Sequence, residues 1–212
     1  MYNNFEKLAE EKKKKIIDAA IREFSKAGYI NASTNNIVRE AGIAKGALFN
    51  YFGNKKSLYL YILDYTIDHY VNIMIKKMNV NNPDIFQRIL EWTELKISIS
   101  NEEPMTYKFF ASAFLNVPEE IKGEIEIRYK KLYDKGYKLA LDDIDMSKFR
   151  NDIDKQKAIE LIIAALNGIS EKYMTMYKSL DDNGYERRNQ SLEELKEYIS
   201  VLKKVFYYDM VE

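Results

Sequence analysis

Apolar side chains recur at steps of three and four between residues 8 and 27, at Ile16, Ile17, Ala20, Ile21 and Phe24, with charged residues between them. That period places them on one face of an amphipathic helix. Gly28 follows and can end the helix in the left-handed conformation. Tyr29–Thr34 reads as a short connection. Ser33 or Thr34 then caps a second helix over about 34–41, because either hydroxyl can accept an amide proton of the first turn. Ile37, Val38 and Ala41 point inward, and Gly42 stops that helix. After Ile43-Ala44 a third helix covers about 45–51, with Leu48 and Phe52 toward the core and Gly53-Asn54 closing it. A fourth begins near Lys55 and runs to about Met78, too long to serve a small domain alone.

The rest of the chain keeps a helical period. Asn79–Pro83 is a polar break, and residues 84–101 form the next helix. Pro104 suits the first turn of a shorter helix reaching Leu115. Pro118-Glu119-Glu120 opens a long helix to about Asp143, its acidic residues at the positive end of the dipole. The polar stretch 144–154 reads as a loop. Helices over about 155–181 and 191–208 finish the chain, divided by Asp181–Gly184, with Ser191 and Glu194 spaced as a capping box for the last. No segment alternates with strand period, and no internal repeat is present. The expected fold class is all-α. A three-helix helix-turn-helix domain occupies residues 1-54, and a larger helical domain for ligand binding and dimerisation occupies 55-212.

Composition narrows the function. With 46% hydrophobic residues in 212, a sizeable core can form. The chain has no cysteine and a single histidine, His69. Disulfides, thiolate metal sites and histidine pairs are therefore excluded. There is no phosphate loop and no Ser-His-Asp set, so the expectation is a non-enzyme with no catalytic residue, no metal and no cofactor. No run of eighteen apolar residues and no basic-then-apolar leader is found, which points to a soluble cytoplasmic protein without a membrane partner. Net charge is zero, yet residues 1–60 hold eleven basic and six acidic residues, a surplus of five that the rest of the chain balances. A basic end on a balanced chain suggests a polyanion partner for that end. Lys12–Lys15 alone reads as a solvated helical turn.

Two short helices joined by a glycine-containing turn, Thr34 to Phe52, are the helix-turn-helix arrangement, whose second helix enters the major groove. Lys45, Gly46 and Ala47 at the start of that helix are basic or small, which permits close approach. The run Ile37–Leu58, with Ala41-Gly42-Ile43, Lys45-Gly46-Ala47-Leu48, Tyr51-Phe52-Gly53 and Lys55, resembles the DNA-binding signature of the TetR family of bacterial transcription regulators. The preceding helix, with Ala19-Ala20, Phe24 and Gly28, is similar to that family's first helix. The resemblance spans about residues 10–60; beyond it, only helical character and length agree.

The resemblance implies double-stranded operator DNA as partner. It implies that Thr34 binds phosphate, Asn35 faces the groove, and Lys45 and Gly46 lie at the groove mouth. Tyr51 would donate its hydroxyl to a phosphate, and Lys55 would pair with another. The family often has hydroxyl residues where Ala44, Ala47 and Phe49 stand here. Apolar contact of Ala47 and Phe49 with thymine methyls is then more plausible. Asn50, in place of a common histidine, could read an adenine edge or bind phosphate.

In the larger domain Trp92, Tyr107, Phe110, Phe114, Tyr129, Tyr133, Tyr137, Tyr173 and Tyr177 recur at helical spacings. They are either ordinary core or the lining of a cavity for a small apolar or aromatic effector, with Trp92, Tyr107, Phe110 and Tyr133 the selected contacts. A cationic effector would suit tyrosine faces. The last two helices carry Ile159, Ile162, Ile163, Leu166, Ile169, Tyr173 and Met176, then Leu192, Leu195, Ile199, Leu202, Val205 and Phe206. They are either monomer core or a homodimer interface. Two half-sites on a near-palindrome require a two-fold protein. The expected function is a ligand-responsive repressor released by its effector, with helix four, which spans both domains, as the lever. The alternative is a helical interaction protein that has lost sequence-specific DNA binding.

Overall fold

The computed structural model describes residues 2–79, 81–115, 117–176 and 184–208. Tyr177 and the divider 181–183 lie outside the described residues, as do the side chains of Tyr173 and Met176. The elements are α1 (Asn3–Glu6), α2 (Glu10–Asn31), α3 (Thr34–Ala41), α4 (Lys45–Phe52), α5 (Lys55–Lys77), α6 (Ile85–Glu102), α7 (Pro104–Leu115), a 3-10 turn (Glu119–Ile121), α8 (Lys122–Leu141), a second 3-10 turn (Met146–Lys148), α9 (Lys155–Met176) and α10 (Gly184–Phe206). The chain is all-α: an N-terminal helix-turn-helix followed by a larger helical region. Among the described residues, extended pairing is confined to a single bridge between Phe149 and Tyr207.

By packing, the chain divides into one unit of Met1–Ile73 with Glu102–Asp134 and a second of Met74–Asn101 with Lys135–Glu212. The first unit is built on the apolar face of α2. Ile16, Ile17, Ala20, Ile21 and Phe24 are all buried, as their spacing predicts. Against them lie Ile37 of α3, Leu48 and Phe52 of α4, Leu58, Ile62 and Leu63 of α5, and Phe109 and Ala113 of α7. Gly28, at φ 67° and ψ 180°, breaks the helical path inside α2. Only glycine adopts that backbone without strain.

The short helix α1 has no counterpart in the sequence pattern. Its Phe5 is fully buried, with ring centroids 4.8 Å from Phe52 and 5.2 Å from Tyr61. Tyr61 also donates its hydroxyl to Glu6 at 2.7 Å. Across the unit, Arg128 of α8 grips Asp64 of α5 with two parallel hydrogen bonds of 2.6 and 2.7 Å.

The second unit closes on Ile85, Phe86, Phe149, Ile159, Ile162, Leu195 and Ile199. Three expectations need correction here. The segment 144–154 is a loop, as expected, with one 3-10 turn, but not a wholly polar one, because Phe149 is fully buried with its ring 5.0 Å from Tyr207. Burial of that one large ring outweighs the polar residues around it. Ser191 and Glu194 do not cap the last helix, since α10 already begins at Gly184. A capping-box spacing is only meaningful where backbone amides are unpaired, and here the preceding turns supply partners. The helix expected from Pro118 starts as the 3-10 turn and becomes α-helical from Lys122.

Two polar residues pin this unit. Asp84 precedes α6, and its Oδ1 accepts from the amides of Phe86 at 2.9 Å and Gln87 at 3.2 Å. Its Oδ2 accepts from Lys148 at 3.2 Å and lies 3.7 Å from Lys203 of α10. Burial acts to raise the Asp84 pKa, but the Gln87 amide and the two lysines prevail and hold it below the ordinary value. Arg88 is fully buried. It donates to the carbonyls of Asn82 at 2.9 Å, Leu139 at 3.2 Å and Ala140 at 3.3 Å. The last two are orphan acceptors at the end of α8, so the guanidinium caps that helix from a neighbouring one.

Replacing Arg88 with methionine leaves those carbonyls buried and unpaired, and should cost about 2–4 kcal/mol in chemical denaturation. Lysine should restore only part, having no fork. Because Asp84 is depressed, its contribution is present above the unfolded carboxylate pKa and is lost as pH falls through the folded value. Asp84→Asn should therefore flatten the acid limb of the stability profile while lowering stability near neutrality.

Candidate nucleic-acid interface

The helix-turn-helix is assembled from one backbone requirement and two buried anchors. Gly42 adopts φ 65° and ψ 37°, and the Ile43 amide then reaches the Val38 carbonyl at 3.0 Å. This closes α3 in the manner of a Schellman end and turns the chain sharply into α4. Leu48 and Phe52, 2% and 4% exposed, fasten α4 to the core. Phe49 and Asn50 between them are left exposed.

Ser33 occupies the N-cap position of α3, but neither its hydroxyl nor that of Thr34 is the cap; no side-chain cap bond forms there. Glu23 of α2 takes over the end of that helix instead. Its Oε1 accepts from the Ser33 amide at 2.7 Å, and the carboxylate lies 3.3 Å from the Asn36 side-chain amide. A charged acceptor at a helix N-terminus outcompetes a neutral hydroxyl. Nothing local in the sequence signals this contact, since Glu23 reads simply as a polar position of α2. Arg22 and Glu40 form a second ion pair between α2 and α3.

The positions singled out from the sequence fall as follows. Lys45, Gly46 and Asn50 are exposed on α4, Phe49 is 37% exposed, and Ala47 is half-buried. Asn35 is exposed and Thr34 half-buried in the first turn of α3. Both helices therefore present their first turns with polar groups that the fold does not consume. Ala44, the N-cap of α4, makes no side-chain bond, so the amides of that turn remain unserved by any cap. Tyr51 is half-buried, its ring 5.9 Å from Phe5 and 6.4 Å from Phe52. Lys55 is occupied within the protein. Its Nζ donates to the carbonyls of Ile30 at 3.0 Å and Ala32 at 3.4 Å, and sits 5.0 Å from the centre of the Tyr29 ring.

The aromatic positions selected for an effector divide between the two units. Tyr107 and Phe110 of α7 meet the buried Tyr70 of α5, at 6.1 and 5.1 Å. The run continues from Phe110 to Phe114 at 5.4 Å, to Tyr129 at 5.7 Å and to Tyr133 at 6.4 Å. Burial pushes the Tyr70 hydroxyl pKa up, with Glu103 adding to it. Trp92 belongs to the second unit, where the Lys96 ammonium lies 5.0 Å from its ring. Gly136 leaves room for that indole: a Cβ there would come within 2.9 Å of it. No group of acidic or histidine residues among those described could hold a metal ion.

Comparison with known proteins agrees with this geometry. Residues 16–62 match the family model for bacterial regulatory proteins, tetR family. The chain is 31% identical over 116 residues to a negative transcriptional regulator of the Staphylococcus aureus biofilm operon icaADBC, IcaR, covering 53% of this chain and 59% of that protein. The chain thus spans less than two thirds of that relative's length. It is 28% identical over 156 residues to the transcriptional regulator RutR of Escherichia coli O157:H7, covering 73% and 71% of the two chains. A solved TetR family regulator from Chloroflexus aurantiacus superposes with a TM-score of 0.59 at 21% identity, covering 97% of this chain and 98% of that one. A second from the same organism reaches 0.66 at 17% identity, covering 90% and 94%. These two establish the shared fold.

Gly42 carries a sharp test of the turn. A Cβ there would meet nothing within 4 Å, so the strain of a substitution is purely that of the left-handed backbone. Gly42→Ala should lose about 1 kcal/mol of stability in urea titration, and Gly42→Asn less than that.

Proposed function

We propose that this chain, which belongs to the tetR family of bacterial regulatory proteins, is a transcription regulator that represses by binding a near-palindromic operator as a homodimer and is released by a small effector. The observation that carries this reading is a set of polar and small positions on α3 and α4, the half-buried Thr34 and the exposed Asn35, Lys45, Gly46 and Asn50, that the fold does not use. Residues 1-54 would serve DNA, and 55-212 the effector and the partner subunit. Lysines would supply sequence-independent affinity through counterion release, and α4 would read base edges. Ala47 and Phe49 would meet thymine methyl groups, since neither can donate or accept a hydrogen bond. Tyr51 would reach phosphate through its hydroxyl. Lys55 would do so by leaving the Ile30 carbonyl, or would act by holding the 30–32 connection in place.

Dimerisation through α9 and α10 is supported by what their buried faces leave over. Ile159, Ile162, Leu195 and Ile199 are spent on the second unit's own core. Leu161, Val201 and Val205 stay exposed at 60%, 58% and 49%, beside the small exposed residues Ala164 and Gly168. An exposed apolar face with small residues suits close helix packing. The effector would be apolar or aromatic, seated against Tyr107, Phe110 and Tyr133 of the first unit. Among the described residues no helix is long and apolar enough to cross a membrane, which fits the cytoplasmic site that such a regulator needs.

The test is operator binding to the DNA flanking the chain's own gene, measured by fluorescence anisotropy across a salt series. A Lys45→Ala, Tyr51→Phe double variant should bind at least tenfold more weakly than the parent, and its salt slope should fall by about one to two. Far-ultraviolet circular dichroism should remain unchanged. Absence of any salt-sensitive specific binding by the parent would favour the alternative, a helical interaction protein. The exposed Phe49 and uncapped Ala44 are the features that would then explain a protein contact in place of DNA.

A further inference from the structure

Outside the recognition surface, an open groove of about 580 Å³ runs between α2, α3 and α7 of the first unit. Its volume lies in the range of small-molecule sites. Four basic residues line it, Arg22, Lys26, Arg39 and Lys108, against two acidic ones, Glu23 and Glu40.

The two carboxylates are already committed. Glu40 is paired with Arg22, and Glu23 is held by the Ser33 amide and the Asn36 side chain. Arg39 donates only to the neutral Asn36 Oδ1, at 3.0 Å. Lys26 and Lys108 make no ion pair or hydrogen bond among the described residues. Three cations thus face one concavity with no carboxylate of their own. The Glu23 carboxylate, bonded only to neutral amides, offsets one of these charges, and the groove keeps a net positive charge. Met105, 44% exposed, adds an apolar surface beside them. Ordinary solvated lysines are scattered and point apart. Here two lysines and an arginine come from three different helices, and the ion pair and the Glu23 contacts fix α3, with Arg39, on α2.

We propose that this groove is a binding site for a compact polyanion, a metabolite bearing two or more phosphate or carboxylate groups, held by Lys26, Arg39 and Lys108. The site is separate from the aromatic run proposed for an apolar effector and does not depend on it. Arg39 supplies a planar fork for one anionic group, and the lysines act as point charges on the others. A ligand held there joins α3 of the helix-turn-helix to α7. It therefore stabilises whichever state keeps those two helices at their present spacing.

Isothermal titration at low ionic strength with two probes, pyrophosphate and citrate, tests the site. The expected result is saturable binding of at least one probe at one site per chain, weakened at least tenfold in a Lys26→Gln, Lys108→Gln double variant. Binding should be unchanged in Lys45→Ala, which lies on the recognition helix. Tighter pyrophosphate would assign phosphate chemistry, and tighter citrate carboxylate chemistry. No saturable binding of either probe overturns the proposal, as does equal affinity in the double variant or loss of binding in Lys45→Ala. A double variant that binds operator more weakly, with no probe binding in the parent, also overturns it and makes the groove part of the DNA surface. Thermal melting of both variants without ligand verifies that they are folded.

Discussion

The ring of Tyr59 is the point on which the first unit turns. It is 4% exposed and receives Phe24 of α2 edge-on at 4.9 Å, Tyr29 at 5.1 Å and Phe109 of α7 at 5.4 Å. Each such pair adds roughly 0.5–1.5 kcal/mol beyond simple burial, but their geometric effect matters more. Three contacts from two other helices to a single side chain leave α2, α5 and α7 no independent freedom to slide. Close-packed aromatic edges either interlock or repack, and they do not yield gradually. The posture of the helix-turn-helix is inherited from this joint, because α3 is tied to α2 through Glu23 and Arg22. The outer side of the joint is latched by Tyr29, whose hydroxyl donates to Glu120 at 2.7 Å, and by Lys55 across the same ring.

Helix α4 has the opposite character. Apart from Leu48 and Phe52 it has little inside the protein to hold it, and its N-cap is an alanine. Loss of a polar cap costs about 1 kcal/mol, and here burial of Phe5 under Phe52 and Tyr51 offsets it. The short helix α1 thus does for α4 what a capping hydroxyl would otherwise do, from the opposite end. No side chain caps the first turn of α4, and of its amides that of Ala47 bonds to the Ala44 carbonyl at 3.0 Å. The face of α4 away from Leu48 and Phe52 is partly apolar, through Ala47 and Phe49.

What the sequence makes legible is the periodic part of this design. The stripe from Ile16 to Phe24, the inward Ile37 and Val38, the anchors Leu48 and Phe52, and the turn at Gly42 are all set by local spacing or by one backbone angle. The features it conceals are those whose cause is distant in the chain. Phe5 stands alone among polar residues, so no period marks it. Phe149 is hidden in the same way and is buried by Tyr207, which lies fifty-eight residues further along the chain. Arg88 sits on the buried face of α6, where its charge argues for solvent, and only the orphan carbonyls of α8 explain it. Ser191 and Glu194 show the reverse error, a motif with the right letters inside a helix already under way. The positions proposed to face DNA are singled out because the resemblance is carried by residues in order. Lys55 shows the limit of that route, since a family position does not disclose that the ammonium is already bonded to the Ile30 carbonyl.

These contacts also bear on how an effector would be felt at the DNA. Sequence length alone favours α5 as the lever, since it leaves the helix-turn-helix and continues far beyond it. The packing places α7 between the aromatic run and α2 in the same way. Tyr107 and Phe110, three residues apart, share one face of α7 and meet Tyr70 of α5, whereas Phe109 is turned the other way and meets Phe24 and Tyr59. On the proposed reading, a molecule seated against Tyr107 and Phe110 presses on the same short helix that locks α2. A rotation of α7 that relieves the effector face must disturb Phe109, and so the joint at Tyr59. Differential affinity for the two packings of that joint is then sufficient to couple effector to operator, without requiring α5 to bend.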